Sequence, residues 1–238
     1  MSDAEISIGD SMNYDKLLFD ADATLYDFKA AEKQAFMLTM ENHGFDCSLG
    51  SYELYSKIND DMWKRLERKE IGKAELRVER FASYAAATHQ LMDAEQISME
   101  YTNNLAEMGI LFDDAMAVIQ TVSQKIECSI ASNGIGYVQR RRFAKSGIEP
   151  YFKHLFISEE LQAEKPDPKF FKRVEEVLEI HDPKRILFVG DSLSADIKGG
   201  VMAGWTTVWY NPDHLKNLSE YQPDYEIDSL SQVIDLLN

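Results

Sequence analysis

Five short apolar runs, each long enough for a buried strand, alternate with helix-like segments over most of the chain. The runs lie at 17–19, 128–131, 155–157, 186–189 and 206–210. The segments between the later runs, about 114–125, 134–146, 168–179 and 194–203, have the apolar spacing of amphipathic helices. Strands that are separated by single helices form right-handed crossovers and a parallel sheet. We therefore predict an α/β fold, a Rossmann-like parallel sheet with helices on both faces.

The interval after the first run departs from this alternation. Between 26 and 108 no convincing strand occurs, and helical patterning covers about 29–43, 50–68, 73–91 and 94–107. A long insertion after the first strand predicts a small helical cap domain above the edge of the sheet. We therefore predict a core formed by 1–25 and 109–238, with 1–13 as a flexible leader, and an all-helical cap formed by 26–108.

The first run ends on two carboxylates, Asp20 and Asp22, which are separated by one small residue. A carboxylate beside an apolar core is costly to desolvate, so two of them at a strand end indicate a function. In a parallel sheet they emerge at the carboxyl end of the strand, where open α/β sheets bind their ligands. Because positions i and i+2 share a face in a straight strand, distinct roles require a bend after Ala21.

Each later strand end adds a polar group of the kind that such a pair needs. Ser132 and Asn133 end the second run and could either cap the next helix or bind phosphate oxygens. Lys165 precedes the first of two prolines, so it is either a solvated loop lysine or a fixed charge for phosphate. Asp191 and Asp196 follow the fourth run. An aspartate at this position can cap a helix, but this is the second strand that ends on carboxylates, which favours metal binding.

The composition limits the class of protein. Of the 238 residues, 45% are hydrophobic and 28% are charged, as in an ordinary globular protein. The net charge of −16 argues against a nucleic-acid partner, and no run reaches the ~18 apolar residues of a membrane helix. Two cysteines and the lack of a signal-peptide pattern predict a cytoplasmic location. The sequence leaves the oligomeric state, monomer or dimer, open.

The order of these polar groups resembles that of the haloacid dehalogenase superfamily. The matches are Asp20-Ala21-Asp22-Ala23-Thr24 to the motif DxDx[TV], Ser132 to the second motif, Lys165-Pro166 to the third, and Gly190-Asp191 with Asp196 to GDxxxxD. Four motifs in the family's order, each after its own strand, cover most of the chain. Within the superfamily, the segments 25–28, 76–81 and 132–134 look most like pyrimidine 5′-nucleotidases.

The resemblance implies an Mg²⁺-dependent hydrolase whose partner is a small-molecule phosphomonoester. Asp20 would be the nucleophile that forms an aspartyl-phosphate, and Asp22 would protonate the leaving alkoxide and later deprotonate water. Mg²⁺ would be held by the Asp20 and Asp191 carboxylates and by the backbone carbonyl of Asp22. The phosphate-binding residues would be Ser132, Asn133 and Lys165, and the supporting residues Thr24 and Asp196, with Asp196 orienting Lys165 or a metal-bound water.

Within this family the predicted substrate is a nucleoside 5′-monophosphate, with pyrimidines preferred. The alternatives are a sugar-phosphate or phosphoglycolate-type phosphatase or phosphomutase, a 2-haloacid dehalogenase, and a non-catalytic receiver-like binding protein. Asp22 argues against the dehalogenase, because that branch of the family usually lacks an Asp at the equivalent position. The long insertion and the DxD spacing argue against the receiver.

Several conspicuous residues outside the motifs have two possible interpretations. Arg77 and Arg80, at i and i+3 of a cap helix, could face the active site or form surface ion pairs. The consecutive residues 140–142 are all arginine and point in different directions on a helix, which favours a solvated face over a nucleotide clamp. The residues expected to fill the cap's own core are Phe36, Met37, Met40, Met62 and Trp63.

Overall fold

Six parallel strands form a single sheet in the structure, a computed structural model that describes residues 14–238. The predicted leader, 1–13, lies outside the described residues. The strands are β1 (Lys16–Phe19), β2 (Glu127–Ser132), β3 (His154–Ile157), β4 (Ile186–Gly190), β5 (Thr206–Tyr210) and β6 (Tyr225–Ile227). Their order is β3-β2-β1-β4-β5-β6, and each neighbouring pair is parallel. The predicted α/β class is confirmed.

The central strand, β1, is buried on both faces. Leu17 and Phe19 pack on one face in the same apolar cluster as α5 (Ala115–Val122). Leu18 packs on the other face with α8 (Pro168–Leu178). Alternate side chains of a strand point to opposite faces, so a strand covered by helices on both sides needs apolar residues at consecutive positions. This explains why the strands read as continuous apolar runs.

Four helices lie between β1 and α5 and enclose an apolar core of their own. They are α1 (Phe28–Asn42), α2 (Leu49–Glu67), α3 (Lys73–Thr88) and α4 (Ala94–Glu107). Phe36 lies within this core, stacked on Tyr55 with 4.6 Å between ring centroids. Asp27, Ser48 and Asp93 accept hydrogen bonds from the first-turn N–H groups of α1, α2 and α4, which fixes where these helices begin. These four helices form the region predicted as the cap.

The two segments that join the cap helices to the sheet lie side by side. The N–H of Asp27 donates to the carbonyl of Ile110 at 3.0 Å, and the N–H of Phe112 donates to the carbonyl of Leu25 at 3.0 Å. The remaining α-helices of residues 14–238 are α6 (Gly136–Lys145), α7 (Ser158–Leu161), α9 (Lys198–Ala203) and α10 (Val233–Leu236). Of these, α6 contributes Val138 to the apolar core of the cap, so it packs against the cap as well as following β2.

Several short elements differ from the sequence-based expectation, among them α7 and α10, which it does not include. The sequence does not predict β6, because Ile227 is the only buried residue of its three. The predicted helix at 194–203 is a π-helical turn at Leu193–Ile197 that continues into α9. Within residues 14–238, every helix is too short or too polar to cross a membrane.

Candidate active site

The carboxyl ends of β1, β2 and β4 meet at a cavity of about 1200 Å³ between the sheet and the cap helices. The predicted site residues that line it are Asp20, Asp22, Ser132, Asn133, Lys165, Asp191 and Asp196. Thr24 lies next to this set, since its hydroxyl donates to Asp191 Oδ1 at 3.3 Å. Parallel strands end at one edge of a sheet, so the topology alone brings together residues that are far apart in the sequence.

The loop after β1 turns the chain sharply at the first motif. Ala23 has a φ of +62°, in the left-handed region, and the N–H groups of Leu25 and Tyr26 donate to the carbonyl of Ala21 at 3.0 and 2.9 Å. The predicted bend after Ala21 is therefore present. It places the carboxylate of Asp20 beside Lys165, and the carboxylate of Asp22 beside α6.

Lys165 is a buried ammonium group, only 3% exposed, with acceptors for all three of its N–H donors. Its Nζ lies 2.5 Å from Asp20 Oδ1, 2.7 Å from Asp196 Oδ1 and 2.6 Å from the carbonyl of Ala131. Burial alone would lower the pKa of Lys165, but the charges of Asp196 and Asp20 outweigh it and raise the pKa. Lys165 is thus a fixed positive charge in the cavity wall, which excludes the solvated-loop interpretation.

The side chain of Asn133 holds the backbone of Lys165 from two directions. Its Nδ2 donates to the carbonyl of Lys165 at 2.8 Å, and its Oδ1 accepts from the N–H of Lys165 at 2.9 Å. The side chain therefore orients the lysine loop. Because both polar side-chain atoms are engaged in this way, the predicted contact of Asn133 with phosphate would use its backbone N–H.

Ser132 is buried at the end of β2 and accepts two hydrogen bonds. The N–H of Gly134 lies 3.0 Å from its Oγ, and Gln139 Nε2 lies 2.9 Å away. A hydroxyl group has two acceptor lone pairs and one donor, so these contacts leave the O–H to donate. Ser132 lines the cavity, and this position supports donation from its hydroxyl group to a phosphate oxygen.

Three carboxylates, those of Asp20, Asp191 and Asp196, have oxygen atoms within 4.8 Å of one another. The single ammonium of Lys165 cannot balance all three when they are ionised. Burial raises the pKa of Asp20 well above its usual range, and burial together with the Asp196 charge raises the pKa of Asp191 to about 7. Hard oxygen donors with unbalanced negative charge are what Mg²⁺ binds. The Asp20 and Asp191 carboxylates of this cluster therefore fit a magnesium ion.

Both carboxylate oxygens of Asp196 already have donors. Oδ1 accepts from Lys165, and Oδ2 accepts from the N–H of Ser192 at 3.0 Å. Gly190 makes room for this carboxylate, because a Cβ at that position would lie 2.5 Å from Asp196 Oδ2. The contacts support the predicted role of Asp196 in orienting Lys165 rather than in binding metal directly.

Two side chains of α6 that belong to none of the sequence motifs bind the carboxylate of Asp22. Gln139 Nε2 donates to its Oδ2, and Arg142 Nη1 donates to its Oδ1. The i, i+3 spacing that places Gln139 and Arg142 on one face of α6 is visible in the sequence, but their partner is more than a hundred residues away. Spacing alone therefore could not assign them to this site.

The arginine run at 140–142 does not form one solvated face. Arg140 and Arg141 form exposed ion pairs with Glu160 and Glu107, at 2.5 and 2.6 Å. Arg142 is fully buried, so the prediction of a solvated face is wrong for this residue. The reason is the helical rotation of α6, which turns the third arginine toward Asp22 and the cap.

The cap lines the cavity with a different set of side chains from the one predicted. Arg77 pairs with Glu159 at 2.5 Å, and Arg80 is buried with its guanidinium 4.6 Å from the ring centroid of Tyr101. Neither arginine is part of the described cavity wall, so their positions do not support the predicted contact with substrate. The cap residues in the wall include Phe28, Trp63, Leu66, Ile71 and Lys73. Trp63 therefore faces the cavity and does not serve only the cap's own core.

The raised pKa of Asp191 predicts that its charge destabilises the metal-free fold. An unfolded aspartate releases its proton near its ordinary pKa of 3.8, whereas folded Asp191 holds it to about pH 7, so the folded chain loses stability as the pH rises between these values. We expect Asp191→Asn to raise the free energy of unfolding of EDTA-treated protein by about 1–3 kcal/mol at about pH 8, and to change it little near pH 4. Urea unfolding at the two pH values measures this.

A matched control is Asp213→Asn, which removes an exposed carboxylate in a loop and should have little effect at either pH. A lower free energy of unfolding for Asp191→Asn at the higher pH would contradict the expectation.

The chain is similar to known proteins along almost its whole length. A family model described as haloacid dehalogenase-like hydrolase matches residues 17–210. The pyrimidine 5′-nucleotidase PynA of Streptococcus pneumoniae is 37% identical over 228 residues, which cover 95% of this chain and 96% of that protein. The pyrimidine 5′-nucleotidase YjjG of Escherichia coli is 27% identical, over 95% of this chain and 99% of that protein. The crystal structure of YfnB from Bacillus subtilis bound to magnesium has a TM-score of 0.90 and 34% identity, over 94% of this chain and 99% of that chain.

Proposed function

Because the chain belongs to the haloacid dehalogenase-like hydrolase family, we propose that it hydrolyses phosphomonoesters with Mg²⁺ through an aspartyl-phosphate on Asp20. The predicted family, the hydrolase class and the resemblance to pyrimidine 5′-nucleotidases are confirmed. The observation that carries the proposal is the position of Asp20, which contacts the ammonium of Lys165 and belongs to the acid cluster in the cavity wall.

In the first step Asp20 would attack phosphorus with Oδ2, because Oδ1 accepts the hydrogen bond from Lys165. The new bond joins Asp20 Oδ2 to phosphorus, and the bond between phosphorus and the leaving alkoxide oxygen breaks. Asp22, also in the cavity wall, would donate its proton to that oxygen. In the second step Asp22 would take a proton from water as the water oxygen bonds to phosphorus. The bond between Asp20 Oδ2 and phosphorus then breaks, which releases inorganic phosphate and restores the Asp20 carboxylate.

The phosphoryl oxygens need positive charge and hydrogen-bond donors while the two steps proceed. Lys165 supplies a fixed charge, and the Ser132 hydroxyl has an O–H left to donate. Mg²⁺, when bound, would neutralise negative charge shared by Asp20 and the phosphoryl group. The residues that would hold it are Asp20, Asp191 and the backbone carbonyl of Asp22. Thr24 would keep the Asp191 carboxylate in place through its hydroxyl group.

The substrate that we propose is a pyrimidine nucleoside 5′-monophosphate. Two relatives that align along almost the whole chain are named pyrimidine 5′-nucleotidases. The cavity, of about 1200 Å³, also has room for a nucleotide. In its wall, Phe28 and Trp63 can contact a flat base, and Lys73 provides a polar group. These cap residues line the same cavity as the acid cluster, so a nucleotide with its phosphate at Asp20 would have its nucleoside within the same cavity.

A panel of phosphomonoesters tests this proposal. With Mg²⁺, we expect faster phosphate release from uridine, cytidine and thymidine 5′-monophosphates than from purine nucleotides or sugar phosphates. EDTA should stop the reaction and added Mg²⁺ should restore it. Faster release from sugar phosphates would contradict the nucleotide assignment, and no release from any ester would contradict the hydrolase mechanism.

A further inference from the structure

The carboxylate of Asp22 is held by α6 through one donor on each oxygen. Gln139 Nε2 donates to Oδ2, and Arg142 Nη1 donates to Oδ1. Gln139 Nε2 also donates to Ser132 Oγ at 2.9 Å. Gln139 thus connects Asp22 directly to the hydroxyl that we assign to phosphate binding.

Arg142 lies at the junction between the cap and the sheet. Its guanidinium carbon is 4.3 Å from the ring centroid of Tyr26 and 5.9 Å from that of Phe28, and its Nε donates to the carbonyl of Met108 at 3.2 Å. Tyr26 and Phe28 lie in the segment that enters the cap helices, and Met108 lies in the segment that leaves them. One buried side chain therefore contacts Asp22 and both connections to the cap.

A buried guanidinium is costly unless it is paired. Among residues 14–238, the carboxylate that pairs with Arg142 is that of Asp22. The two neighbouring arginines form exposed ion pairs, so the burial of Arg142 is specific to its position on α6. Burying the Arg142 guanidinium costs desolvation energy, and the burial places it beside the proposed acid/base residue. This position indicates that Arg142 has a role in the reaction.

We propose that Gln139 and Arg142 are positioning residues that orient the Asp22 carboxylate toward the leaving oxygen and the attacking water. The proposal rests on the proposed function, which makes Asp22 the acid and base. Arg142 also ties this orientation to the two connections of the cap.

The geometry leaves Asp22 able to act. An ionised carboxylate has about four lone-pair sites, and one donor on each oxygen leaves acceptor capacity on both oxygens. Asp22 lines the cavity, where that capacity is available to a proton or a water molecule. Without one of the donors the carboxylate can rotate, and proton transfer loses its alignment.

The chemistry of the leaving group separates this role from a general loss of structure. A ribose alkoxide is a strong base and needs the proton from Asp22 as its bond to phosphorus breaks. Nitrophenolate is a weak base and can leave without that proton. The phosphorylated enzyme then needs Asp22 as base for its hydrolysis, whichever ester formed it. A misaligned Asp22 should therefore permit one release of nitrophenol and slow the following turnovers.

The test uses Gln139→Met and Arg142→Met, with uridine 5′-monophosphate and p-nitrophenyl phosphate as substrates. We expect each variant to lower kcat for the nucleotide about 10- to 100-fold, part of the usual contribution of acid–base catalysis. For Arg142→Met, KM should change little, because Arg142 is not in the described cavity wall. With p-nitrophenyl phosphate, rapid mixing should show a nitrophenol burst close to the enzyme concentration, followed by slow release.

Two further variants sharpen the test. Arg140→Met is the matched control, because it removes an arginine of the same helix that pairs with Glu160 and does not contact Asp22. It should behave like the unmodified protein. Arg142→Lys should regain part of the nucleotide activity, because it returns a cation to Asp22. Thermal unfolding establishes which variants are folded, and Gln139→Met provides the test if Arg142→Met does not fold.

The proposal would be overturned if folded variants lose the rate of the first nitrophenol release as much as they lose kcat for the nucleotide. Equal losses would indicate a general disturbance of the phosphate site. Unchanged kcat in both variants would overturn it as well. If the unmodified protein releases phosphate from no ester, the proposed function fails instead, so the two failures can be told apart.

Discussion

Asp20→Asn is expected to abolish phosphate release while the protein stays folded. The amide has nearly the shape of the carboxylate but cannot act as the nucleophile, so the rate should fall by at least about 10⁴-fold. Stability should not fall, because burial and neighbouring carboxylates raise the pKa of Asp20 and make its charge unfavourable in the fold. Lys165 keeps its ion pair with Asp196.

Steady-state rates with p-nitrophenyl phosphate and urea unfolding measure the two effects of Asp20→Asn. The matched comparison is Asp22→Asn, which should slow turnover but still bind a phosphate analogue such as fluoroberyllate. Appreciable turnover by the Asp20→Asn variant would show that Asp20 is not the nucleophile. Loss of folding would show instead that the Asp20 carboxylate is needed for stability.

Lys165→Met has the second large expected effect, because it removes both a phosphate ligand and the buried cation. Asp20 and Asp196 would then face each other without a positive partner, and breaking a buried pair costs about 3–5 kcal/mol. We expect no measurable turnover and a free energy of unfolding lowered by about this amount at about pH 8. The loss should shrink as the pH falls, because the unpaired carboxylates can then take up protons.

Urea unfolding at two pH values measures the effect of Lys165→Met. Lys169→Met, which removes an exposed lysine of α8, is the matched control and should have little effect. The double variant with Asp196→Asn should recover part of the lost stability, because it removes one of the unpaired charges. A Lys165→Met variant as stable as the unmodified protein at the higher pH would contradict the buried-pair description.

Residues that follow parallel strands could be placed from the sequence. Asp20, Ser132 and Asp191 lie in the cavity wall because the strands before them are parallel and end at one edge of the sheet. That topology could be predicted from alternating apolar runs and helices. Short elements with little burial, such as β6, could not be predicted in this way.

Contacts that depend on the packing of one helix against another were not predictable. The sequence shows three consecutive arginines, but the burial of Arg142 depends on how α6 meets Tyr26 and the end of the cap. Likewise Lys73, at the start of α3, reaches the hydroxyl of Ser158 at 2.6 Å across the boundary between the cap and the sheet. No spacing within either helix specifies such a partner.

The proposed mechanism requires Asp20 to carry the phosphoryl group during turnover, and chemical trapping tests this most directly. Borohydride reduces an acyl phosphate with loss of phosphate and converts that aspartate to homoserine, whereas free carboxylates do not react. The Asp22→Asn variant, which should slow hydrolysis of the intermediate, is mixed with p-nitrophenyl phosphate, quenched, reduced and digested for mass spectrometry. We predict homoserine at position 20. Homoserine at another aspartate, or none in a protein that has released a stoichiometric burst of nitrophenol, would contradict the mechanism.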